Sequence, residues 1–135
     1  MKTKIANCAY YQLFVDENKQ RLYVELKGFW NDDSVFNSYL SDLKKATTLL
    51  DNTFDCHANF SMLKAISRVY FLSYHFDALE LLRKHGLRQS GQIMPEDPIA
   101  CQQLLSIIEK FGKAAVFGED ELLEIYLDSK TSIAA

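Results

Sequence analysis

A chain of 135 residues, 48% hydrophobic and 24% charged, has the size and composition of one globular domain with a substantial core. Its formal net charge of −3 supplies no basic field for nucleic acid or anionic lipid. The three cysteines, Cys8, Cys56 and Cys101, are odd in number and widely spaced, which makes poor material for a disulfide framework and points to a reducing, cytoplasmic setting.

No apolar run is long enough to span a bilayer, so membrane insertion is not expected. Lys2 and Lys4 precede a segment broken by Asn7 and Gln12, which lacks the apolar stretch of a signal peptide. The reading is one domain over residues 1–135, with 1–9 and 131–135 expected to be loosely ordered.

Residues 10–15 are rich in aromatic and branched side chains and predict a strand. A polar turn over 16–20 follows. Residues 21–29 then alternate, with Leu22, Val24 and Leu26 on one face and Tyr23, Glu25 and Lys27 on the other. Two strands so joined predict an antiparallel hairpin. From Asn31 the period becomes helical. Asn31, Asp32 or Asp33 supplies the cap, and Val35, Phe36, Tyr39, Leu40, Leu43, Ala46 and Leu50 form the apolar stripe.

Residues 54–60 predict the central strand, followed by a polar loop over 61–68 and a helix over 69–85 closed by Gly86. Residues 87–94 predict a further strand, ended by Pro95. Asp97-Pro98 starts a helix whose buried stripe is Ile99, Leu104, Leu105, Ile107, Ile108 and Phe111, with Gly112 closing it. Residues 113–117 predict a last strand. Glu119, Asp120 and Glu121 open the last helix, with Leu122, Leu123, Tyr126 and Leu127 expected inward. The order β-β-α-β-α-β-α-β-α implies an α/β fold: a mixed, mostly parallel sheet opened by an antiparallel hairpin, with helices packed on it.

Catalytic signatures are not assembled in this chain. Its glycines are isolated, so no phosphate-binding loop forms, and no GxSxG elbow raises a serine. The acidic pairs at Asp32-Asp33 and Glu119-Asp120-Glu121 stand at helix starts, where the dipole accounts for them. Cys56 and His57, if on a strand, point to opposite faces, and no second ligand pair stands nearby for a metal. His75 and His85, on one predicted helix, share no i, i+4 face. The chain therefore reads as non-enzymatic, with no catalytic residue, metal or cofactor assigned.

Two stretches remain as candidate sites. The loop after the central strand carries Ser61, Lys64, Ser67 and Arg68 before a helix N-terminus, a setting suited to a phosphate or a partner's carboxylate. Ser67 serves equally as a helix cap. Tyr70, Phe71, Tyr74 and Phe76 are either core aromatics or the lining of an apolar pocket.

The order of elements and three stretches resemble the STAS domain, in its SpoIIAA-like branch of small stand-alone bacterial proteins. The first is 15–24 (VDENKQRLYV) running into 26–30 (LKGFW). The second is Asn59-Phe60-Ser61 at the position of that family's Asp-x-Ser, and the third is Ala115-Val116-Phe117 with its acidic turn and last helix. The resemblance implies a regulatory, protein-binding module acting through Asn59, Ser61, Lys64, Ser67 and Arg68. Its partner is an unidentified protein and its state monomer or homodimer. Ala65-Ile66-Ser67-Arg68 lacks the aspartate and glycine that flank the phosphorylated serine of anti-sigma-factor antagonists. That branch also resembles the lipid-exchange Sec14 fold, which implies the alternative of a small carrier or sensor of an apolar, lipid-like ligand.

Overall fold

The hairpin is present as β2 (Tyr11–Asp16) and β3 (Arg21–Gly28), antiparallel, with Leu13 opposite Val24 and Val15 opposite Leu22. Asp16 shapes the turn by accepting from the backbone amides of Asn18 and Lys19 at 3.0 and 3.1 Å. This computed structural model describes residues 2–64, 74–111 and 115–134.

One further strand was not expected. Residues 2–7, which the sequence reads as loosely ordered, form β1 (Lys2–Asn7), antiparallel to β2 at the sheet edge. Its side chains are exposed or half-buried, so no apolar alternation marks it; backbone pairing and the packing of Ile5 and Ala6 on the core hold it. Lys2 and Lys4 on this edge discourage pairing with another strand.

Beyond the hairpin lie α1 (Asp33–Thr47), β4 (Phe54–Leu63), α2 (Phe76–Lys84), β5 (Leu87–Ile93), α3 (Pro98–Phe111), β6 (Ala115–Phe117) and α4 (Asp120–Ala134). Strand order in the sheet is β1-β2-β3-β4-β5-β6, parallel from β3 onward. Strand β4 runs to Leu63, so Ser61 belongs to the strand and not to the loop after it. Helix α4 runs past residue 131 to Ala134. None of the helices is long and apolar enough to cross a membrane, among the described residues.

Local chemistry explains the boundaries. Asp32 caps α1 by accepting from the Ser34 amide at 2.9 Å, and Asp97 does the same for Ile99 at the start of α3. Gly86 has φ +108°, and a Cβ there would stand 1.7 Å from the Asn52 carbonyl oxygen, so this turn admits only glycine. Tyr74 and His75 form a wider turn before α2, and the predicted helical residues 69–73 lie outside the described set.

Helices α1, α2 and α3 cover one face of the sheet. Leu13, Val15, Leu22, Val24, Phe54 and Cys56 meet Phe36, Leu43, Ala46, Leu82, Leu104 and Ile107 there. Trp30, fully buried, centres an aromatic group with Tyr11, Phe36, Tyr39 and His75, its ring nitrogen donating to the Lys27 carbonyl at 2.9 Å. The stripe of α3 is rotated from the expected one. Ala100, Leu104 and Ile107 are buried at helical spacing, which turns Ile99 and Leu105 outward; the side chains of Ile108 and Phe111 lie outside the described set.

Among the described residues, helix α4 alone lies on the opposite face. Leu123 and Leu127 are buried there with Ile93 and pack with Phe117 and Tyr126, while Leu122 is half exposed rather than inward. Gly91 makes this approach possible, since a Cβ on it would lie 2.0 Å from Leu123 Cδ1.

Candidate functional site

On the α4 side, strand alternation presents polar groups where a sheet packed by a helix ordinarily presents apolar ones. Arg21, Tyr23 and Glu25 of β3 stand in register with Asp55, His57 and Asn59 of β4. Facing them, Asp120, Glu124 and Asp128 follow at i, i+4 and i+8 on α4, one carboxylate per turn on a single stripe.

The two sets join through short contacts. Arg21 Nη1 donates to Glu124 Oε1 and to Asp128 Oδ1, each at 2.8 Å, and its Nη2 lies 3.6 Å from Asp55 Oδ2. Tyr23 donates its hydroxyl to Glu124 Oε2 at 2.6 Å. His57 places Nδ1 3.2 Å from Glu124 Oε1 and Nε2 2.9 Å from Asp120 Oδ1. A neutral imidazole can donate to only one of these carboxylates; the imidazolium donates to both. Asn59 Nδ2 reaches both Asp120 oxygens at 3.1 and 3.2 Å, and Lys19 adds an exposed link to Glu124 at 3.2 Å. At the rear, Asp55 is fully buried and accepts from Arg88 at 2.9 and 3.2 Å.

These contacts set the electrostatics. Burial by itself would raise the Glu124 carboxyl. Hydrogen bonds from Tyr23 and His57, the charge of Arg21 and the bond from Lys19 outweigh it and bring the pKa down to about 2. Burial raises the Tyr23 phenol, and its bond to the Glu124 carboxylate adds to that. Burial opposes the Arg21 charge, but the bond to Asp128 and the charge of Glu124 more than restore it.

Between α4 and the exposed part of the β1–β3 face is a cleft of about 590 Å³. Phe14, Tyr23 and Ile125 give its lining apolar surface, and Glu25, Asp120, Glu121, Glu124 and Asp128 give it carboxylates. Lys2 Nζ sits 3.9 Å from the centre of the Tyr23 ring, a cation–π contact. Groups of three His, Cys, Asp or Glu side chains arranged to hold a metal are absent among the described residues.

Of the sequence candidates, Asn59 is in this cleft. It also turns its carbonyl oxygen to the Ser61 amide at 2.9 Å. Ser61 is half-buried in β4 with its backbone carbonyl bonded to the Glu96 amide, and Lys64 is exposed, its amide donating to the Gly28 carbonyl at 2.9 Å. Ser67, Arg68, Tyr70 and Phe71 lie outside the described residues. Tyr74 stacks on Phe36 at 4.5 Å and donates to Asp33 at 3.1 Å, while Phe76 is 41% exposed.

Between the sheet and α2 and α3 is a cavity of about 40 Å³ whose wall includes Tyr39, Cys56, His75 and Gln92 but neither Tyr74 nor Phe76. Among the described residues that space is smaller than ligand pockets, which run to roughly 300–1,000 Å³. The Cys56 thiol in this wall is pushed up to about 12, chiefly by burial, and is an inert core group.

The sequence reading missed the network. From sequence His57 is weighed only as a metal ligand and set aside, and Asp120 is explained by the helix dipole. A signal was present in the period-two run Asp55, His57, Asn59 and in the four-residue spacing of Asp120, Glu124 and Asp128. No family model, curated protein or solved structure matches this chain.

Proposed function

We propose that this chain is a non-enzymatic, regulatory binding module of the STAS kind, and that it meets a protein partner at the cleft beside α4. The observation that carries this reading is the cleft itself. It is open apolar surface next to polar groups held in place by short hydrogen bonds, on a sheet face that α1, α2 and α3 leave uncovered. Rigidly held groups around an open cleft lower the ordering cost of association. Binding suits the chemistry better than turnover: among the described residues no serine, threonine or cysteine lines the cleft, and the Tyr23 hydroxyl is engaged by Glu124. Asn59 links this surface to the end of the central strand, where the resemblance to STAS domains puts the working region.

A photo-cross-linking residue separates the surfaces. It is placed at Ile125, which is 64% exposed beside the cleft, at Lys64 beyond β4, or at Ile99, which is 60% exposed on the α3 side. In the native host, Ile125 should give a discrete adduct and Ile99 none. Adducts from Lys64 alone would return the working surface to the loop, and equal yields at all three positions would sink the reading.

A further inference from the structure

We propose that the cleft takes a cationic segment: an extended peptide that presents an arginine or lysine side chain and displaces Lys2 from the Tyr23 ring. This rests on the binding reading above and names its partner's chemistry. Two independent observations lead to it.

The first is charge. Glu124 and Asp128 are already met by Arg21 and Lys19, and Asp120 by His57 and Asn59. Glu25 of β3 and Glu121 of α4, both lining the cleft, have no ion-pair partner among the described residues. Arg21 offers an anion nothing, because it is fully buried and already faces three carboxylates, which leaves Lys2 as the cleft's one accessible cation among the described residues.

The second is Lys2. The chain's own ammonium already stands over the Tyr23 face, 3.9 Å from its centre, within the same cleft. A cation site is thus built and occupied from within, by a side chain of an exposed edge strand that can swing away at little cost. A guanidinium is the better occupant. It stacks on an aromatic face, it forks to carboxylates, and it is more weakly hydrated than an ammonium. Phe14 and Ile125 receive the apolar neighbours of such a side chain. Lys2 is then an internal competitor that sets the threshold for binding.

The test uses the full chain and three blocked octapeptides, identical except for two central positions that are both arginine, both glutamate or both norleucine. Amide chemical shifts of Gln12, Tyr23, Glu25 and Ile125 report on the cleft. The arginine peptide should shift these amides saturably. Lys2→Ala should tighten it by roughly two- to fivefold, the scale of an exposed cation–π contact. Glu25→Gln with Glu121→Gln should weaken it by roughly three- to tenfold, the scale of two exposed ion pairs. Asp51→Asn with Asp77→Asn, which removes equal charge from exposed positions outside the cleft, should leave affinity unchanged.

Equal weakening in that control would show attraction to net charge only and overturn the proposal. So would loss of affinity in Lys2→Ala, or cleft shifts that appear on concentrating the protein alone, which would make a second copy the occupant. Cleft shifts with the glutamate or norleucine peptide and none with arginine would overturn the cationic class while keeping the cleft as a binding surface. If no peptide moves these amides but Ile125 still cross-links a partner, the inference fails and the binding reading stands.

Discussion

Arg21→Met tests whether α4 is fastened to the sheet by charge. The magnitude follows from where each partner sits. Glu124 and Asp128, bonded to Arg21 at 2.8 Å, are 25% and 49% exposed, so screening leaves each contact worth about 1 kcal/mol or less. Asp55 is different, because it is fully buried and 3.6 Å from the guanidinium. Stranding a buried charge costs about 3–5 kcal/mol when nothing else compensates it. Here Arg88 remains at 2.9 Å, so the expected total loss is about 2–4 kcal/mol. Equilibrium urea unfolding of the parent, Arg21→Met, Asp55→Asn and the double variant measures it. Asp55→Asn removes the charge that Arg21→Met strands, so the double variant should retain about 1–3 kcal/mol more than additivity allows. Strict additivity, or a loss below about 1 kcal/mol for Arg21→Met, would show that the network contributes geometry but not stability.

Gly91→Ala should lift α4, because its Cβ would collide with Leu123; a loss of about 1–3 kcal/mol is expected, with faster amide exchange in α4 and unchanged exchange in β2 and β3. Leu43→Ala opens a cavity under a fully buried side chain on the other face and should cost about 2–5 kcal/mol in the same unfolding assay. Glu124 has a folded pKa near 2, below its ordinary 4.5. Its contribution is therefore complete above about pH 5 and lost as pH falls through 4.5 toward 2, roughly 1–2 kcal/mol after screening. Tyr23→Phe should shrink that loss in urea midpoints taken against pH. Burial holds His75 down to about 4 from 6.5, so the unfolded chain takes up that proton first and stability also falls between those values. His75→Leu should flatten that part of the profile.

The hairpin, α1 and the central strand were legible because each announces itself locally. Leu22, Val24 and Leu26 alternate toward one core, and Asp32 caps where the period changes. Strand β1 was not legible, since an edge strand of mostly exposed residues has nothing to alternate against. The α3 stripe was misjudged for a related reason. Ile99 and Leu105 are as apolar as Leu104, and only the packed sheet selects which arc is buried. The polar site was hidden differently. Arg21, Tyr23, Asp55 and His57 read as a solvated face until register sets β3 beside β4 and α4 returns across both. Which face that helix covers is a tertiary fact, and the carboxylates that explain Arg21 stand 103 and 107 residues away.

The sheet order, which equals the order of the strands in the chain, has a kinetic consequence. Each strand from β2 to β6 pairs with the one before it, so each pairing closes a turn or a single crossover between consecutive strands and spans no more of the chain than that. The clasp of α4 on Arg21 and His57 breaks that rule, since it joins residues 103 and 67 positions apart. We expect the clasp to form after the rate-limiting step, so that weakening it acts chiefly on the unfolding rate. In a chevron plot, weakening Arg21 should steepen escape from the native state and leave the folding arm almost in place. On that expectation the clasp sets how long the fold lasts more than how fast it is found.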